Sequence, residues 1–226
     1  MREPLPYADR DHAGRVLAGA VTAHLGRAGR AQRPLILALP RGGVPIGLHV
    51  ARAVGGDLDV VVVRKIGAPT HPELGIGAVG ADGPPLFDEE SLHRLELTPA
   101  DLASTVERER AEARRRLASY RRGRAPLDAA GRVVVVVDDG LATGVTARAA
   151  LRALRRHRPA YLAFAAPVCA PPAALALRAD ADDVICVRQP DDFWAVGQWY
   201  DDFAQVTDDL VERDLRQAWS GHETVR

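Results

Sequence analysis

The stretch of the chain richest in chemistry is Val133–Thr146, VVVVVDDGLATGVT, in which two acids are followed by small and hydroxylic residues. Five consecutive valines predict a strand buried on both faces that delivers Asp138 and Asp139 to its carboxyl edge. Gly140 and Gly144 allow backbone angles or close approach that a side chain would forbid. Ala142, Thr143, Gly144, Val145 and Thr146 then open a helix, with N–H groups and two hydroxyls at the positive end of its dipole. Such a loop is a phosphate cradle. The two carboxylates do not hold phosphate directly, because like charges repel. They suit ribose hydroxyls, or a Mg²⁺ set between carboxylate and phosphate through water. The Gly-Lys-Ser/Thr ending of a Walker A loop is absent.

A second candidate is ALPRGGVP at 38–45. A strand ends at Pro40, and Arg41, Gly42 and Gly43 lead into a helix, so bare amides and one guanidinium can receive a diphosphate. A third is Arg64-Lys65, expected to close the apolar run 57–65. Lys65 is the only lysine among 30 basic residues, and its compact ammonium suits a point contact to phosphate. The stretch 66–80, IGAPTHPELGIGAVG, carries His71 and Glu73 in a Gly- and Pro-rich loop, and neither is assigned a catalytic role. Last is the aromatic cluster DDFWAVGQWYDDF, 191–203. It reads equally as packing for a C-terminal helix and as a hood that stacks and hydrogen-bonds a ring.

The 133–146 string closely resembles the motif that binds 5-phosphoribosyl 1-diphosphate (PRPP) in type I phosphoribosyltransferases. By that resemblance Asp138 and Asp139 bind the ribose 2′- and 3′-hydroxyls, and residues 142–146 hold the 5′-phosphate. Pro40, Arg41, Gly42 and Gly43 resemble the family's pyrophosphate loop, whose peptide is often non-proline cis. The resemblance sets a basic residue near Lys65 against the phosphates, and a mobile loop at 66–80. Trp194, Val196 and Asp201 keep the spacing of the purine phosphoribosyltransferase hood. Gly140 departs from the pattern, since most members carry an aliphatic or small non-glycine residue there. The chain as a whole is most similar to an uncharacterised bacterial group of phosphoribosyltransferases. The implied reaction is Mg²⁺-dependent displacement of pyrophosphate from PRPP by a nucleobase-like acceptor. Arg41, Lys65, Asp138 and Asp139 would be its catalytic residues. A PRPP- or nucleotide-sensing regulator, and transfer to water or an amine, are the other readings left open. The resemblance is also compatible with a homodimer.

These residues need a scaffold that brings strand ends together. Apolar runs at 34–40, 57–65, 132–139, 160–168 and 182–190 alternate with helical patterns at 10–28, 43–53, 146–157 and 171–179. The alternation predicts an α/β fold with a doubly wound, mostly parallel sheet, which binds ligands beyond its carboxyl edge. A short strand is expected around Ile76–Val79. A long polar helix is expected over 99–122, capped by Thr98 with Pro99 first and Asp101 in its first turn. The expected organisation is one domain over 1–226, with a helical insertion at 96–124 and a hood segment and helix at 190–226.

With 30 basic and 30 acidic residues the formal charge is zero, which argues against coating nucleic acid. The arginines of the long helix alternate with acids in its first half, as on a solvated, salt-bridged face. Cys169 and Cys186 are expected as buried free thiols of a cytoplasmic protein. The histidines at 12, 24, 49, 93, 157 and 222 form no metal-ligand pattern. No apolar run reaches membrane-span length, and the N-terminus has no signal-like core.

Overall fold

The computed structural model describes residues 7–30, 32–69 and 71–220, apart from the side chains of Pro72 and Glu73. The readings made on the first six residues, on Glu73 and on His222 lie outside them. In chain order the elements are α1 (Arg10–Arg27), β1 (Leu35–Ala38), α2 (Gly43–Val54), β2 (Asp57–Val60), β3 (Val63–Ala68), β4 (His71–Gly80), β5 (Leu86–Phe87) and α3 (Glu89–Arg94). Then follow α4 (Ala103–Arg121), β6 (Val133–Val137), α5 (Val145–Arg155), β7 (Tyr161–Val168), α6 (Pro171–Leu177), β8 (Asp183–Arg188) and α7 (Asp208–Ser220).

Five strands form a parallel sheet in the order β2-β1-β6-β7-β8. Successive side chains of a strand alternate faces, and here both faces are dry. Ile36, Ala38, Val135, Val137, Ala163 and Ala165 pack with α1, α2 and α7. Leu35, Leu37, Val134, Val136, Leu162 and Phe164 pack with α5 and α6. This is why the strands read as unbroken apolar runs. The order places β1 beside β6, where the chain switches direction across the sheet, the place beyond the strand ends where ligands bind in such folds.

The run 57–65, expected as one strand, divides. Ala38 ends β1 and pairs with Val60, and the Val61 N–H to Ala38 O bond (3.1 Å) is the last link to that neighbour. Beyond it the chain leaves the parallel sheet and enters a second, antiparallel sheet, β3-β4-β5. The Gly- and Pro-rich stretch is therefore mostly a hairpin, and β4 is longer than the short strand expected at 76–79. Ile66, Ala68, Ile76, Val79, Leu92, Leu102 and Val106 form a separate small core between this sheet and the helices α3 and α4.

The long helix starts later than its sequence signals imply. Thr98 N–H and Oγ1 donate to Asp101 Oδ2 (2.8 and 2.6 Å), but they close a tight turn over 98–102, and α-helical geometry begins at Ala103. Its charges pair as expected, Arg110 with Glu107 and both Arg115 and Arg116 with Glu112. At its far end Arg121 reaches β2. Asp59 is only 2% exposed and accepts from Arg121 (Nη2 to Oδ2, 3.0 Å) and from Leu127 N–H (3.3 Å).

Cys169 and Cys186, expected as free thiols, are joined in a disulfide with 6.3 Å between Cα atoms. Register alone does not bring them together, because β8 matches Cys186 with Ala166, three residues before Cys169; Cys169 lies just past the end of β7, where its N–H donates to Arg188 O (3.0 Å). Among the described residues, no helix is long and apolar enough to cross a membrane, and no cluster of three or more His, Cys, Asp or Glu is arranged to hold a metal.

Candidate active site

Five valines carry β6 to the cleft, and Asp138 and Asp139 follow at its carboxyl end. The loop after β1 presses directly against them. A Cβ on Gly42 would lie 1.9 Å from Asp139 Oδ2, and one on Gly43 would lie 2.5 Å from Val137 O. Only glycine fits this approach, so the two candidate motifs meet at the β1–β6 switch point. The Pro40–Arg41 peptide is cis.

Each carboxylate is half committed to the protein. Asp138 Oδ1 accepts from the Asp139 N–H (2.9 Å), and Asp139 Oδ2 accepts from Arg10 Nε (2.8 Å). No described hydrogen bond uses Asp138 Oδ2 or Asp139 Oδ1, which leaves one acceptor on each acid. Burial raises the Asp138 pKa well above the ordinary carboxylate value, and the neighbouring Asp139 charge raises it further. Burial also raises Asp139, against the opposing pull of Arg10.

The loop that follows is anchored at Leu141. Its N–H donates to Val168 O (2.9 Å) and its carbonyl accepts from Ala170 N–H (2.8 Å), which fixes the loop to the end of β7. Gly144 sits at φ +76°, left-handed backbone that favours glycine, and caps α5. No described hydrogen bond uses the N–H groups of Ala142, Thr143, Gly144, Val145 or Thr146. Ala142, Thr143 and Thr146 are exposed. A row of unclaimed donors at a helix start is an anion site.

The C-terminal segment closes over the acid pair, at positions the sequence only partly marks. Val196 lies in a 3₁₀ turn, Val196–Trp199, and covers Gly140: a Cβ there would lie 2.4 Å from Val196 Cγ1. This packing explains the departure from the family pattern at Gly140. Tyr200 donates from its hydroxyl to Asp139 O (2.6 Å). Trp194 is 88% exposed, and Asp201 is exposed while its N–H donates to Tyr7 O (2.9 Å). Two predicted residues lie differently from expectation. Arg41 extends towards Asp208 at the start of α7 (Nη1 to Oδ1, 4.0 Å), which also accepts from Tyr120 Oη (2.6 Å). Lys65 does not end a strand of the parallel sheet; it lies within β3, paired in register with Ala78.

Arg10 and Tyr200 were not singled out by the sequence. One signal was present for Arg10, a cation in the first turn of a helix, where the dipole disfavours it.

The family model of the phosphoribosyl transferase domain matches residues 13–204, which contain both loops and most of the closing segment. The chain belongs to that family. Two Mycobacterium tuberculosis proteins, each named "Putative phosphoribosyl transferase" (strains CDC 1551 and H37Rv), are 38% identical over 212 residues. The match covers 94% of this chain and 47% of each relative, so the chain spans about half the length of the curated relatives it matches. The crystal structure of TT1426 from Thermus thermophilus is 42% identical with a TM-score of 0.78, over 93% of this chain and 98% of that one. A hypothetical protein from Neisseria gonorrhoeae with bound ppGpp, 14% identical with a TM-score of 0.51 over 94% of both chains, shares the fold alone.

Proposed function

We propose that the chain transfers the 5-phosphoribosyl group of PRPP to a nucleobase-like acceptor, with release of pyrophosphate and with Mg²⁺. The observation that carries this reading is the pairing of two half-free carboxylates with a row of unclaimed amides at one switch point. Vicinal ribose hydroxyls would donate to Asp138 Oδ2 and Asp139 Oδ1, and the 5′-phosphate would take the 142–146 amides and hydroxyls. In the loop packed against the same acids, the N–H groups of Arg41 and Gly42 suit the diphosphate, while that of Gly43 is given to Leu39 O (3.0 Å). Arg41 and Lys65 would supply positive charge to the leaving diphosphate.

In the reaction the C1–O bond to diphosphate breaks and its electron pair leaves with pyrophosphate. The acceptor nitrogen supplies the pair for the new C1–N bond, and its proton passes to water. The charge that builds on the sugar ring resembles the oxocarbenium of glycoside hydrolysis. Asp138 and Asp139 are hard oxygen donors that fit Mg²⁺ as water-mediated partners, and the metal would neutralise charge on the leaving group. The segment 194–201 would receive the acceptor, with Trp194 available to stack on a ring.

The test is pyrophosphate release from PRPP across a panel of nucleobases. Release with one base, lost in D138N/D139N, supports the reading. Saturable PRPP binding without release from any base or into water identifies a sensor instead.

A further inference from the structure

The acid pair has a support that comes from outside its own loop, at the other end of the chain. Arg10 is the first residue of α1, and its guanidinium makes three contacts at once. Nε donates to Asp139 Oδ2 (2.8 Å), Nη1 donates to Ala204 O (2.7 Å), and the group lies 3.8 Å from the centroid of the Phe203 ring. Arg10 and Asp139 are each only 13% exposed at the side chain. We infer that Arg10 is a positioning residue: it fixes the orientation of Asp139 and ties the closing segment 200–204 to it, so that sugar clamp and cover are built as one unit. The inference rests on reading Asp138 and Asp139 as the sugar clamp.

Three observations lead there. A cation at a helix start opposes the dipole, so this arginine needs a partner elsewhere, and Asp139 is that partner. A planar fork can serve carboxylate, carbonyl and ring together, whereas an ammonium is a point charge. The groups around Asp139 also leave it no other cation among the described contacts. Asp138 stands beside it, Tyr200 approaches from the closing segment with Tyr7 behind (ring centroids 5.4 Å apart), and the β1 loop offers only the bare backbone of Gly42. By holding Oδ2, Arg10 decides which oxygen of Asp139 remains for a ligand. The closing segment is laced to the same place, because Asp201 and Asp202 donate their N–H groups to Tyr7 O and Ala8 O (2.9 and 2.8 Å), just ahead of Arg10.

The test uses the full chain with R10Q and R10K, and two readouts. The first is hydrogen exchange of the Asp201 and Asp202 amides without ligand. The second is calorimetric affinity for PRPP with Mg²⁺. R10Q is expected to speed exchange at those amides by about tenfold or more while β6 and β7 amides stay protected, and to weaken PRPP by about tenfold. R10K keeps the charge and is expected to recover part of both effects. Unchanged exchange and affinity in R10Q would overturn the inference, as would R10K no nearer to wild type than R10Q in either readout. If wild type does not bind PRPP, the proposed function fails and the exchange measurement decides the role of Arg10 alone. In that case the same acceleration by R10Q in a D139N background shows that Arg10 does not act through Asp139.

Discussion

Two carboxylates enclosed side by side cost the ligand-free protein stability. Folding raises the pKa of Asp138, so the folded state binds more protons than the unfolded one. Stability therefore falls as pH climbs above the unfolded value of about 3.9. Asp138→Asn removes that cost: the variant is expected to melt higher than wild type at pH 7, by about 3 °C for each ~1 kcal/mol relieved. The advantage should vanish below about pH 4. Thermal melts at several pH values check both the sign and the window. Gly140 gives a second residue-level prediction. G140A drives a methyl into Val196 and is expected to destabilise by about 2 kcal/mol, measured by urea unfolding, and V196A in the same chain is expected to recover most of it. The placement of Asp138, Asp139 and the small residues after them, between the end of β6 and the start of α5, was legible because it depends on chain neighbours alone. Arg10 was not, since its partner lies 129 positions away and nothing in the intervening sequence sets the distance.

The parallel-sheet strands were readable for a physical reason: a strand buried on both faces must be apolar at every position. The same property misled at 57–65, because an apolar run says nothing about where its partner strand ends. Ala38 ends β1, and the chain must find new hydrogen bonds in β4. The start of α4 was misplaced in a similar way, since Thr98 and Asp101 cap a turn as readily as a helix. The second sheet and its helices are joined to the core by Ala113 and Tyr120 of α4, which pack into it, and by the buried Arg121–Asp59 pair. R121A leaves a buried carboxylate without its cation and is expected to cost about 3 kcal/mol by urea unfolding. R115A breaks an exposed pair on the same helix and is expected to change stability by less than about 0.5 kcal/mol.

At the scale of the molecule, the strand order brings two loops almost 100 residues apart in sequence to one cleft and lets both chain ends cover it. The N-terminal arm and the closing segment meet at Tyr7 and Tyr200, whose backbones form a bridge, and each is tied to the core by its hydroxyl, Tyr7 to Pro167 O (2.9 Å) and Tyr200 to Asp139 O (2.6 Å). The sequence located both loops, and the sheet supplied the reason they touch. The acceptor stays unread because Trp194 and Asp201 are exposed, while Val196 and Tyr200 spend their side chains on Gly140 and on Asp139 O. The most direct measurement is titration calorimetry of the full chain with PRPP and Mg²⁺, wild type against D138N/D139N. Saturable binding by wild type is expected, with at least about a hundredfold loss in the double variant, the effect of removing two charged acceptors. A folded wild type that gives no binding heat, or a double variant that binds as well as wild type, would contradict the proposed function.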